Sequence, residues 1–421
     1  MAAVLAPQTI GAMAQSQPEQ PVQPAGTAPA APSGQPSPSV SVAEPPASSA
    51  KPTPAPSPVP DPYVQPQPGS DEHVWLRARG SHIVTSPLAQ GGEQPFIACG
   101  IGYCRDVIIR AQDDDVMKFC KSHSLNTVRL SFYTRFFNNK KDKPVDIDDH
   151  IRNFIAPVVA AARRHKVYVI LDDHGYLSAE IDEATAREKQ KSRGWNENDI
   201  AEWIAAWVKV AEFFKNEPYI LGYELVNEPH DIPAADAREK LTRCLKEVRK
   251  VDQRHLVLLA NNDWSHARAM EKTWGEVAAT VDAPHNNVMF TFHDYPEDNH
   301  PWIVQKHVKA FREAHNVPVI CTEFGATHWN KSETVCRQFQ AGMLALCAKN
   351  DIGWMIWALK TVVDNPRNPF NEVDKVGMGP PKSYDSCSYS DLWAPVARIM
   401  SSPFPVLAGR EEGRGLQNSP D

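Results

Sequence analysis

Short apolar runs recur along most of the chain, at 95–102, 126–132, 167–174, 219–228, 255–262, 287–295, 317–323 and 353–358. Each is rich in branched or aromatic residues and is bounded by polar residues or glycine, the pattern of a strand buried on both faces. Between the runs, apolar residues return three and four apart. The clearest set is Ile200, Trp203, Ile204, Trp207, Val208, Ala211 and Phe214, which share one face of a helix and place both tryptophans in the core. Eight strand-then-helix units in about 330 residues predict a closed (β/α)8 barrel of parallel strands rather than an open doubly wound sheet. No Gly-x-Gly-x-x-Gly motif follows the first run, which speaks against a dinucleotide site.

The first 70 residues carry none of this pattern. They hold 18 of the 37 prolines, one aromatic residue, Tyr63, and four charges, Glu19, Glu44, Lys51 and Asp61. Such a segment cannot bury enough apolar surface to fold, so 1–70 is expected to be a disordered linker, 71–405 the (β/α)8 barrel domain and 406–421 a flexible tail. A chain starting near Gly69 is then expected to keep its stability. Residues 1–14 end on Ala12-Met13-Ala14 like a secretory signal, but they lack a basic start and contain Pro7. A secreted or periplasmic location is the expectation, with a cytoplasmic one left open.

Composition narrows the partners. The net charge of -7 argues against nucleic acid, and no uncharged apolar run of about 18 residues predicts a membrane span. The eight cysteines form no Cys-x-x-Cys pair and no zinc-ligand spacing with histidine. Mostly free buried thiols, at most one or two disulfides, no metal and no cofactor are expected, in a monomer.

In a barrel of this kind the active site lies at the C-terminal ends of the strands. The residues there are unusually polar: Arg129, Asp172-Asp173-His174, Asn227-Glu228, Asn261-Asn262-Asp263-Trp264, His293-Asp294-Tyr295, Glu323 and Trp357. Any one of them has a plain explanation as an ion pair, a satisfied hydrogen-bonder or packing. Converging on one rim, they imply a polar ligand, because buried polar groups need partners. The tripeptide Asn227-Glu228-Pro229 is weak evidence by itself, since Asn216-Glu217-Pro218 repeats it at the end of a helix.

Taken in order, Arg129 in Asn-Thr-Val-Arg-Leu, His174 in Ile-Leu-Asp-Asp-His-Gly, Asn227-Glu228-Pro229, His293 with Tyr295, Glu323 in Thr-Glu-Phe-Gly and Trp357 resemble glycoside hydrolase family five, the cellulase-like retaining glycosidases. The resemblance implies Glu228 as acid/base and Glu323 as nucleophile, with Arg129 favouring the charge on Glu323 and that charge raising Glu228. It also implies that Tyr295 donates to the nucleophile and Asn227 bonds a sugar 2-hydroxyl. His174 and His293 would bond sugar hydroxyls or neighbouring groups, and Trp357 and Trp264 would offer flat faces to a pyranose ring. The implied partner is a polysaccharide or oligosaccharide, β-1,4-glucan first, with mannan, β-1,3-glucan, xyloglucan or a glycolipid behind it. Gly102, where many members carry asparagine, leaves the neighbouring subsite open. Two other classes remain: a metal-dependent barrel hydrolase, although 96–103 lacks paired histidines, and an inactive sugar-binding barrel, against which both glutamates stand.

Overall fold

The apolar runs become strands because each can bury both faces, one against helices and one inside a barrel. The structure, a computed structural model, describes residues 63–103, 105, 113–134, 146–178, 192–194, 196–296, 300–325 and 333–357. The signal-like 1–14, the linker up to residue 62 and the tail 406–421 lie outside the described residues, as do the stretch after residue 357 and Cys104 and Cys387.

Three short strands open the fold, β1 (Leu76–Arg79), β2 (His82–Thr85) and β3 (Pro95–Phe96), paired antiparallel in that order. The barrel follows with β4 (Cys99–Tyr103), β5 (Thr127–Phe132) and β6 (Tyr168–Asp173). After β6 comes a small parallel pair, β7 (Tyr176–Ser178) and β8 (Ser192–Gly194). The barrel resumes with β9 (Ile220–Glu224), β10 (Leu256–Leu259), β11 (Val288–Asp294), β12 (Val319–Phe324) and β13 (Gly353–Ile356). These eight strands pair in parallel in chain order and close β13 onto β4. The helices between them include α1 (Asp113–Ser122), α2 (Ala156–His165), α3 (Glu197–Phe214), α4 (Ala234–Arg249), α5 (Pro301–His315) and α6 (Glu333–Lys349). The (β/α)8 expectation therefore holds.

The first expected strand divides. Residues 95–96 pair with β2, and only 99–103 enter the barrel. Phe96 turns inward, its ring centroid 4.9 Å from that of Tyr168. With Leu76 and Ile83 it packs on Ile170, Leu221, Leu256, Leu258, Met289, Ile320 and Met355, so the small sheet plugs the barrel at the strand N-termini. Gly222 is required in that interior, since a Cβ there would lie 2.5 Å from the Leu256 carbonyl oxygen.

Helix α3 starts at Asn196, whose side chain accepts from the Asp199 amide at 3.0 Å, a cap that satisfies one free donor. Ile200, Trp203, Trp207, Val210, Ala211 and Phe214 are buried, while Ile204 and Val208 flank the stripe and are only partly covered. Both indoles also donate to the Leu225 carbonyl, at 3.1 and 2.8 Å. Helix packing thus fixes the backbone two residues before Asn227.

The expected linker boundary at residue 70 falls too late. Tyr63 sits 5.7 Å from the rings of both Phe213 and Phe214, and its hydroxyl donates to Glu217 at 3.1 Å. Gln65 donates to the Phe213 carbonyl, and Arg163 donates to the Val64 carbonyl while lying 3.1 Å from Glu217. The second Asn-Glu-Pro is thereby explained: Glu217 is a buried anchor for the incoming chain. Composition conceals this, because one aromatic in a proline-rich stretch carries the docking. A protein starting at Gly69 should lose about 1–2 kcal/mol, since Tyr63 is partly buried and full burial of such a ring is worth about 1.5–3 kcal/mol, and melt a few degrees lower. One starting at Val59 should melt with the full chain; calorimetry of the two truncations checks this.

Candidate active site

Seven strand ends, those of β5, β6 and β9 to β13, carry the predicted polar and aromatic residues. Arg129, on β5, is fully buried and projects among three carboxylates. Its Nε donates to Glu224 at 2.6 Å, Nη1 to Glu323 at 2.8 Å and Nη2 to the Asn227 side-chain oxygen at 2.7 Å. Asp172 lies 3.1 Å from Nη2. An arginine fork can serve several acceptors without ever losing its proton, which suits a cation that must stay buried.

Glu323 closes β12 and has a donor on each oxygen: Arg129 on Oε2 and the Tyr295 hydroxyl on Oε1, at 2.9 Å. Glu228 follows β9. Its Oε1 lies 2.8 Å from His293 Nδ1, and among the described residues Oε2 has no hydrogen-bond partner. One donor atom each from Glu228, His293 and Glu323 lie within 4.8 Å of one another. Among the described residues this is the cluster that could share a cation, but loading it would require His293 to give up Glu228, beside the Arg129 charge.

His174 Nδ1 lies 2.7 Å from Asp172, which also accepts from the Ser131 hydroxyl at 3.0 Å. The His174 ring stacks on Trp357 at 4.5 Å, and the Arg129 guanidinium lies 5.8 Å from the Trp357 ring centroid. Trp357 is buried by these contacts. Trp264, in contrast, is 40% exposed. Asp263, Trp264 and Ser265 all adopt positive φ, and the Trp264 ring stacks on His230 at 3.7 Å, two residues beyond Glu228. Three consecutive left-handed residues without a glycine are costly, and such strain is stored where surrounding contacts overdetermine it. Asn261 and Asn262 hold the loop through backbone carbonyls of Thr291 and Ile232.

The electrostatics correct one expectation. Burial raises Glu323, and the charge of Glu228 adds to it, more than His293 and Arg129 offset. Burial also pushes Glu228 up, yet the hydrogen bond and charge of His293 outweigh it and hold Glu228 below the usual carboxylate range. Both directions are the reverse of those expected from Arg129 and mutual repulsion alone. The reason is the 2.8 Å contact of His293 with Glu228, which strand order in the sequence does not reveal. His293, although burial disfavours its charge, is raised to about 10 by Glu323, Glu224 and Glu228.

Sequence reasoning passed over Glu224 and Thr322. Glu224 Oε1 accepts from the Thr322 hydroxyl at 2.7 Å, and Thr322 lies 2.9 Å from His293 Nε2. The available signal was a charged residue inside an apolar strand, where only a paired group survives. Cys99, Cys120, Cys244, Cys321 and Cys347 are free thiols. Among the described residues no helix is long and apolar enough to cross a membrane.

Comparison with known proteins identifies the family and the fold. Residues 93–362 match the family model of cellulase (glycosyl hydrolase family 5). A beta-xylosidase of Phanerodontia chrysosporium is 26% identical over 42% of this chain and 38% of its own. Endoglucanase A of Butyrivibrio fibrisolvens is 24% identical over 59% of this chain and 52% of its own; the chain spans about half the length of the curated relatives it matches. A cellotetraose complex of the endocellulase from Pyrococcus horikoshii superposes with a TM-score of 0.55 at 17% identity, over 77% of this chain and 98% of that one, a likeness of fold. With the family model covering well over half of its residues, the chain belongs to glycosyl hydrolase family 5.

Proposed function

We propose that the protein hydrolyses a β-linked polysaccharide by double displacement with retention of configuration, with Glu323 as nucleophile and Glu228 as acid/base. The observation that carries this is the approach of the two carboxylates, whose donor atoms lie within 4.8 Å. Retaining enzymes hold their carboxyls about 5–5.5 Å apart, whereas inverting ones leave about 6.5–9.5 Å for a water. The division of roles follows from hydrogen bonding. Both Glu323 oxygens accept from donors, which suits a carboxylate that attacks, while Glu228 keeps one oxygen free to carry a transferable proton.

Burial and Glu228 raise Glu323 while His293 lowers Glu228, and a bound glycoside acts against both shifts. A glycosidic oxygen against Glu228 Oε2 is an acceptor for a proton there. Positive charge developing at the anomeric carbon favours the anion on Glu323. Asn227 contributes a further contact: its side-chain nitrogen is buried without a partner among the described residues, and a sugar 2-hydroxyl would satisfy it. Trp264 offers an exposed face, stacked on His230 two residues beyond Glu228, and His174 stacks on Trp357.

The substrate we favour is β-1,4-glucan, cut internally. The endoglucanase name of one relative and the cellotetraose bound to a structural neighbour support it. Product analysis on defined β-1,4-glucan, mannan, β-1,3-glucan and xyloglucan oligosaccharides tests it. Fastest internal cleavage of cello-oligosaccharides with the β-anomer formed first is expected. Release of the α-anomer would remove the double-displacement reading, and preference for another polymer would move the substrate alone.

A further inference from the structure

Thr322 has a single hydroxyl hydrogen, and its neighbours decide where that hydrogen goes. Glu224 Oε1 lies 2.7 Å from Thr322 Oγ1, and the other Glu224 oxygen lies 2.6 Å from Arg129 Nε. Burial would raise Glu224, but Arg129 and His293 hold it down to about 2, so it is a carboxylate and can only accept. Thr322 therefore donates to Glu224. Its other contact, 2.9 Å to His293 Nε2, must then be one in which Thr322 accepts, so Nε2 carries a hydrogen. Glu224 Oε1 also lies 3.7 Å from Nε2, and a buried carboxylate that close stabilises the imidazolium, with a second N–H at Nδ1.

Building on the assignment of Glu228 as acid/base, we propose that Glu224 and Thr322 are positioning residues for it. By anchoring Nε2–H they hold His293 with Nδ1–H turned on Glu228 Oε1. This confines the transferable proton of Glu228 to Oε2 and steadies the carboxylate left when that proton departs. In the first step the Oε2–H bond breaks as the proton passes to the glycosidic oxygen. The C1–O bond breaks with its electron pair going to that oxygen, and a Glu323 oxygen bonds to C1. In the second step a water oxygen bonds to C1, its proton returns to Oε2, and the bond between C1 and Glu323 breaks. His293 keeps both its hydrogens throughout, so it is a fixed charge and not a shuttle.

The groups around His293 are consistent with that fixed charge. Glu224 comes from β9 and Glu228 from the segment after it, and Glu323 adjoins Thr322 on β12. Asp294 and Tyr295 follow His293 in the chain. His266 lies 3.2 Å from the His293 carbonyl oxygen and 3.4 Å from Asp294. Arg129 is the balancing cation across the site.

The test compares Thr322→Val with Thr322→Ser on two substrates, one with a poor alkyl or sugar leaving group and one with an activated aryl leaving group that needs no acid. Valine fills the same space without the hydroxyl. It should lower kcat/KM about 30-fold for the poor leaving group and no more than about threefold for the activated one, since acid assistance is the part lost. With its anchor gone, the His293 ring turns its Nδ1–H away from Glu228 Oε1, so the Glu228 pKa rises and the alkaline limb of kcat/KM should move up by about one unit. Serine should restore both. Equal losses on the two substrates with an unmoved limb would overturn the proposal, as would failure of serine to rescue.

Glu228→Ala, measured alongside, separates this from the underlying assignment. If it discriminates between leaving groups and Thr322→Val does not, the positioning role is wrong and the acid/base stands. If Glu228→Ala itself fails to discriminate, the assignment falls first. Nitrogen NMR of the unaltered protein gives an answer that depends on no variant folding: both His293 nitrogens should be protonated near neutral pH, and a bare Nδ1 would overturn the proposal.

Discussion

Replacing Glu323 with Ala is expected to lower hydrolysis by at least about four orders of magnitude, because the first displacement then has no nucleophile. The loss should come without unfolding, since the change removes one carboxylate from a site that holds more negative than positive groups. Arg129 keeps Asp172 and Glu224 as partners. The space vacated lies between Arg129 and the Tyr295 hydroxyl, a setting that suits a small anion. Azide supplied with an activated aryl β-glycoside should attack C1 from that side and give the α-glycosyl azide by a single inversion. Glu228→Ala should behave differently. The activated substrate still forms the covalent intermediate on Glu323, azide intercepts it from the opposite side, and the product is the β-glycosyl azide. Product configuration from the two variants, read by NMR, checks both roles at once. The same configuration from both would require the carboxylates to be reassigned.

The second large effect is structural. Arg129→Met removes the cation that serves Glu224, Glu323 and Asp172, all buried. Breaking a buried pair by removing one partner costs about 3–5 kcal/mol, and three carboxylates lose a partner here. The variant is expected to melt at least about 10 °C lower at neutral pH and to be inactive. The sign of its pH dependence distinguishes lost charge from lost packing. In the unaltered protein Glu224 is held down to about 2. That stability is present above the unfolded carboxylate pKa, about 4.3, and is lost as pH falls toward 2. In Arg129→Met the same carboxyl is buried without its strongest partner and its pKa rises, so the penalty is greatest at neutral pH. The gap in melting temperature between the two proteins should therefore narrow as pH is lowered through the carboxylate range. A gap independent of pH would mean that the arginine matters for its volume and not its charge. Arg129→Lys should recover only part of the stability, since an ammonium cannot reproduce the planar fork that reaches Glu224, Glu323 and Asn227 together.

Much of this protein is determined locally and is therefore visible along the chain. Strands buried on both faces must be apolar throughout, and helices facing a barrel must repeat at three and four, so the eight-unit alternation and the core role of Trp203 and Trp207 can be read from residue order. Parallel strands all end on one rim, so strand-end polarity alone singles out Arg129, His174, Glu228, His293, Tyr295 and Glu323. Contacts that depend on which atom faces which are decided only in three dimensions. The Glu228–His293 bond reverses the expected direction of both carboxyl shifts, and it joins residues 65 positions apart on strands that are not neighbours in the sheet. Glu224 and Thr322, 98 positions apart, meet across the barrel interior. Neither the strand pattern nor residue type tells Glu224 from a misplaced charge until Arg129 is beside it. Tyr63 is the converse case. Composition averages over a segment, while docking needs only one aromatic with a place to go, and that place is made by Phe213, Phe214 and Glu217 after the barrel has formed.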